Sequence, residues 1–155
     1  LPSAHPSTSS SPSWWKALRS PAPRGIRNNN PGNIRNSERN DWTGEVSKAD
    51  KKDNAFEEFE DIPHGVRAMM KLLLKYQRSY NLHSIKELIE RWAPRDENDT
   101  AAYVRWVCRE MQMPDCCRLD LSDKGTMCAL VDAMCYMENG ERIPMEDIEA
   151  GWELM

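Results

Sequence analysis

From residue 61 to the C-terminus, apolar residues recur at intervals of three and four, and each run is bracketed by a capping residue and a breaker. This pattern constrains the fold more than any other feature of the chain. Asp61 precedes Pro63, a pairing that suits an N-cap and first turn, and Val66, Met69, Met70, Leu73 and Leu74 follow as a stripe continued by Tyr76 and Tyr80. Ser84 with Glu87 forms a capping box for a second helix carrying Ile85, Leu88, Ile89 and Trp92, stopped by Pro94. After the polar link Arg95–Asp99, a third helix carries Tyr103, Val104, Val107, Cys108 and Met111. A fourth begins near Ser122, holds Met127, Leu130, Val131, Met134 and Cys135, and ends at Glu138-Asn139-Gly140, with Gly140 as the C′ residue. A short last helix opens around Pro144 and contains Ile148 and Trp152.

The preceding segment reads differently. Arg24–Arg35, R-G-I-R-N-N-N-P-G-N-I-R, packs three consecutive asparagines, two glycines and a proline between basic-apolar pairs. Gly25 and Gly32 permit positive φ, Asn tolerates it, and Asn30 is pushed towards an extended backbone by Pro31. The segment is expected to be a shaped loop offering amide donors and acceptors. Trp42, Thr43 and Val46, then Phe56 and Phe59 beyond the polar run 47–54, predict two short strands in a hairpin. The expected fold is therefore α+β and mostly α: about five helices with a small β-hairpin. Residues 1–23 are Ser- and Pro-rich apart from Trp14-Trp15, a composition that cannot offset chain entropy by burial. They are expected to be a disordered tail or linker, with the domain at 24–155.

The chain has 155 residues, enough beyond the tail for one core, and a net charge of −4 that gives no general attraction to nucleic acid or anionic lipid. No run approaches the roughly 20 apolar residues of a membrane span. Neither nucleic acid nor membrane is an expected partner. The five cysteines include no C-x-x-C pair and are not spaced with His5, His64 or His83 as zinc ligands are, so no metal or cofactor is expected. Cys128 and Cys135, seven apart on one helix, read as buried thiols.

There is no nucleophile elbow, phosphate loop or dinucleotide fingerprint. The chain does offer carboxylates, aromatics and an amide-rich loop, a combination suited to carbohydrate. Glu138 stands apart because it lies in the last turn of a helix, where unpaired carbonyls disfavour ionisation and partial burial acts the same way. A carboxyl kept protonated near neutral pH is what glycoside cleavage uses as general acid. Glu97, at a helix start, is an alternative acid, and Glu45, Asp50 and Asp53 in or near the hairpin are sources of a second carboxylate. Tyr103 faces either a cleft or the core.

The Asn-rich loop, W-x-G at 42–44, F-x-x-F at 56–59, G-V-R-A at 65–68, R-W-A-P-R-D-E-N-D-T-A-A-Y-V at 91–104 and M-E-N-G at 137–140 together resemble a group of phage and prophage proteins, virion structural or lysozyme-like lytic. That group is distantly similar to the lysozyme superfamily, including glucosaminidases and lytic transglycosylases. In those enzymes a catalytic Glu in an E-S-G-like turn precedes the Asn segment and hairpin. Here no Glu occurs before Glu38, and the E-S-G-like turn is Glu138-Asn139-Gly140 at the far end.

The resemblance implies a lysozyme-like domain with a circularly permuted arrangement, with Glu138 (or, failing it, Glu45 or Glu97) as the acid. It implies Asn29, Asn30, Asn33, Trp42, Thr100 and Tyr103 as substrate-binding residues. The implied activity is peptidoglycan cleavage at the β-1,4 glycan backbone, by lytic transglycosylation or hydrolysis. The alternative is a non-catalytic virion structural or glycan-binding protein. The implied partners are peptidoglycan strands and, through the tail, virion or secretion-machinery proteins. The implied location is the cell envelope (periplasm) or the virion after cytoplasmic synthesis.

Overall fold

The structure is a computed structural model that describes residues 21–96 and 98–155. The tail expected at 1–23 falls almost wholly outside the described residues, as does Glu97. Among the described residues there are six helices: α1 (Arg24–Arg27), α2 (Ile62–Tyr80), α3 (Ile85–Trp92), α4 (Thr100–Met111), α5 (Lys124–Asn139) and α6 (Met145–Glu153). Their starts are fixed by side chains. Asp61, Asp99 and Asp123 each accept a bond from the backbone N–H three residues on, and Ser84 with Glu87 closes a reciprocal capping box. Three of the helices stop at left-handed residues, with Asn81 ending α2, Gln112 ending α4 and Gly140 ending α5.

Helix α5 is the hub. Met127, Leu130, Val131, Ala133, Met134 and Cys135 are fully buried, so it is apolar almost all round, and α1, α2, α4 and α6 all pack on it. Helix α6 lies along α2, where Gly151 is needed: a Cβ there would stand 2.4 Å from Val66 Cγ1. Cys128 and Cys135 are buried thiols, and Cys135 Sγ lies 3.7 Å from Met69 Sδ.

The α+β expectation is corrected. Among the described residues the segment 34–60 contains no strand and no hairpin, only isolated antiparallel bridges, Arg35 with Phe56 and Glu45 with Phe59. The cause is competition for backbone groups. Residues 55–60 divide their bonds between two partners: Asn36 N–H reaches Ala55 O and Glu57 N–H reaches Ile34 O, while Val46 N–H reaches Glu58 O and Glu60 N–H reaches Gly44 O. The fully buried Asn30 amide donates to Ile34 O at 2.9 Å and Glu57 O at 3.0 Å and accepts from Ile34 N–H at 2.9 Å. A side chain thus replaces ladder bonds that a sheet would use. The domain is helical, with this stretch an ordered loop draped over α2.

The Asn-rich segment also departs from a plain loop, since its first residues make the turn α1, begun by Pro23. The left-handed positions are Asn29 and Asn33, at φ 53° and 51°, and not the glycines. Gly25 and Gly32 serve close approach instead. A Cβ on Gly25 would meet Asn139 Oδ1 at 2.5 Å, and one on Gly32 would meet Met69 Cγ at 2.6 Å. The loop is therefore seated directly on α2 and on the end of α5.

Candidate functional site

The last turn of α5 abuts the Asn-rich loop. Asn139, buried, donates from Nδ2 to Pro31 O at 2.8 Å and to Cys135 O at 2.9 Å, fastening the helix end to the loop across more than a hundred residues of sequence. Its neighbour Glu138 then points into a cavity of about 310 Å³. Gly32–Arg35 and Phe56 form one wall, Leu72, Tyr76 and Trp92 the other, and Ala93 and Asn98 complete the lining. The size is at the lower end of small-ligand sites.

Both carboxyl oxygens of Glu138 are held. Asn33 Nδ2 donates to Oε1 at 3.0 Å, and the Tyr103 hydroxyl donates to Oε2 at 2.9 Å. Burial pushes the Glu138 carboxyl above the ordinary glutamate range, opposed by hydrogen bonds from Asn33, Tyr103 and Trp92. Tyr103 itself is 3% exposed, and burial followed by the charge of Glu138 drives its phenol far up, so it remains a neutral donor. Met134 O lies 3.5 Å from the same hydroxyl and gives it a second direction in which to donate. Asn33 Oδ1 and Asn139 Oδ1 are buried acceptors without a partner among the described residues, both converging on the Gly25 backbone.

The other residues singled out from sequence have different places. Asn29 donates to Phe59 O, and Asn30 serves the loop backbone as described above. Trp42 is half-buried against the core and lies outside the cavity lining. Thr100, 3% exposed, donates to Ala93 O at 2.5 Å and braces the turn that follows α3. Of the six residues expected to bind substrate, Asn33 lines the cavity and Tyr103 stands behind Glu138.

Glu45 accepts from Trp42 N–H at 2.8 Å and pairs with Lys48 at 3.0 Å. Asp50 bonds Ser47, and Asp53 receives the Arg24 guanidinium, which holds its carboxyl well below the usual range. None of the three lines the cavity, where Glu138 is the sole carboxyl among the described residues.

Sequence reasoning missed the second wall, since Trp92 and Tyr76 read as ordinary apolar-stripe residues. It also missed Glu57, fully buried and bonded to Lys48 at 3.0 and 3.2 Å, which anchors the loop from beneath. An acid inside E-E-F-E carries no signal that distinguishes it. Glu60, Asp61 and His64 bring ligand atoms within 4.8 Å of one another, but their geometry is that of an N-cap, with Asp61 accepting from both His64 N–H and its ring.

The chain is 40% identical over 135 residues to protein P5 of Pseudoalteromonas phage PM2, an alignment covering 85% of this chain and 81% of that protein. It belongs to the protein P5 family. No protein-family profile matches the chain. The resemblance to phage proteins therefore holds at the level of a phage-related family. Among the described residues no helix is long and apolar enough to cross a membrane.

Proposed function

We propose that this protein cleaves the β-1,4 glycan backbone of peptidoglycan, with Glu138 as the general acid. The observation that carries the reading is the setting of Glu138: a lone carboxyl, raised by burial, at the end of a cavity with amide and aromatic walls. In this reading an amino sugar occupies the cavity, with Trp92 and Tyr76 against its apolar face and Asn98 bonding its hydroxyl and acetamido groups, while Asn33 holds the acid. The protonated carboxyl gives its proton to the glycosidic oxygen as the bond to the anomeric carbon breaks. Before that step the Tyr103 hydroxyl turns towards Met134 O, freeing Oε2 to hold the proton. Afterwards it turns back and stabilises the carboxylate.

The lack of a second carboxyl in the described lining favours assistance by the substrate's own acetamido oxygen over a two-carboxyl route: that oxygen bonds the anomeric carbon as the leaving sugar departs, and the 6-hydroxyl of the same sugar then displaces it, returning its proton to the Glu138 carboxylate and giving an anhydro sugar. Family membership supports a phage setting, and the finer reading is a lytic protein that acts on the host cell envelope, carried in the virion or delivered to the periplasm. The second reading is a virion protein that binds glycan without cutting it. It is favoured by one observation: both Glu138 oxygens already accept hydrogen bonds. The two readings are separated by incubating purified sacculi with the native protein and with Glu138→Gln. Soluble muropeptides released by the native protein alone support catalysis; retention on sacculi without release by either supports binding.

A further inference from the structure

The aromatic wall of the cavity does not end at its rim. Trp92 and Tyr76 line the cavity with ring centroids 6.2 Å apart, edge to face. One turn further along α2, Tyr80 lies 6.3 Å from Tyr76 and is 43% exposed, outside the lining. The Arg91 guanidinium sits 3.8 Å over the Tyr80 ring and 5.4 Å from that of Tyr76. Three rings and one guanidinium thus form a continuous row leading from the Glu138 cavity to open surface.

Arg91 lies over Tyr80 in a cation–π contact and is in no ion pair among the described residues, so N–H donors at the guanidinium edge are available at the rim of the exposed ring. The guanidinium covers one face of the Tyr80 ring, and the exposed remainder of that ring with the guanidinium edge beside it matches a pyranose, which has an apolar face and a belt of hydroxyls. A cavity of about 310 Å³ cannot enclose a polymer, so a glycan strand lying in it must continue outside.

We propose that Tyr80 and Arg91 form a distal subsite that binds a further amino-sugar ring of the same glycan strand, making recognition dependent on strand length. The inference rests on the glycan reading of the cavity. The ring of the distal sugar packs on the side of Tyr80 that the guanidinium leaves uncovered and its hydroxyl or lactyl oxygens accept from the guanidinium edge, while the bond to be cleaved stays at Glu138. Helix geometry sets the spacing: Tyr76 and Tyr80 are four residues apart on one face of α2, and Arg91 precedes Trp92 on α3.

Calorimetric binding of peptidoglycan-derived disaccharide, tetrasaccharide and hexasaccharide to the Glu138→Gln protein tests the subsite without turnover. Affinity is expected to rise with length. Adding Tyr80→Ala or Arg91→Ala should weaken the longest oligomer about three- to tenfold and leave the disaccharide unchanged, while Tyr80→Trp keeps the length dependence. Equal hexasaccharide affinity with and without Tyr80, in variants whose melting temperature is preserved, overturns the subsite alone. Absence of binding at every length, disaccharide included, overturns the glycan reading itself and the subsite with it.

Discussion

Replacing Tyr103 by Phe removes one oxygen from a buried site and nothing else, and it isolates what holds Glu138. The hydroxyl is 2.9 Å from Oε2, on a residue 3% exposed, so no bulk water can take its place. A hydrogen bond to an ionised group contributes about 1.5–3 kcal/mol, against about 1 kcal/mol for a neutral pair. The sign follows from the raised carboxyl. Below its native titration Glu138 is protonated, and the hydroxyl can bond Met134 O instead, so Phe costs little. As pH rises through the raised native pKa the carboxylate forms without its donor, and the full charged-bond loss develops. Urea unfolding of native and Tyr103→Phe protein across a pH series measures this. The stability difference should be small in acid and reach about 1.5–3 kcal/mol at high pH, or roughly 5–12 °C in Tm for a domain of this size. A difference that is independent of pH would refute the claim that Tyr103 acts through the charge on Glu138.

Three further outcomes follow from the same geometry. Glu138→Gln should be more stable than the native protein above the native titration of Glu138, and the gain should fade as pH falls to the ordinary glutamate range, because the native carboxyl is raised and loses stability as pH rises between its unfolded and folded values; denaturant midpoints at several pH values read it. Gly65→Ala should cost about 3 kcal/mol or more, since its Cβ would stand 2.0 Å from Asn29 O, whereas Gly125→Ala, with its nearest neighbour at 3.5 Å, should gain about 0.5–1 kcal/mol by thermal unfolding. Asn30→Ala should cost roughly 2–4 kcal/mol in the same assay, because it strands Ile34 N–H and the Glu57 carbonyl in the interior, while Ile34 O keeps its bond from Glu57 N–H.

The helices were legible because their signals are local: a capping side chain, a run at helical spacing, a left-handed stop. The loop was legible as a shaped segment but not in its workings. Its four asparagines look alike in sequence, yet Asn30 is buried and holds the backbone, Asn28 bonds Asp53, Asn29 bonds Phe59 O, and Asn33 reaches Glu138. Which one faces the cavity depends on α2 beneath them, a contact between distant segments. The hairpin was misread for a related reason. Trp42, Val46, Phe56 and Phe59 have strand character, but the bonds of a ladder were taken by Asn30 and divided between two neighbouring segments. Glu138 was reachable from sequence because its helix end is marked by Gly140, whereas Trp92 and Tyr76 carry no mark separating a cavity wall from a core stripe.

The central claim is that Glu138 protonates a glycosidic bond, and mass spectrometry of purified sacculi digested by the full chain tests it most directly. The account predicts disaccharide-peptide products ending in an anhydro sugar with the native protein, and none with Glu138→Gln at preserved fold. Intact glycan strands after digestion by the native protein, or equal release by the Gln variant, would contradict it.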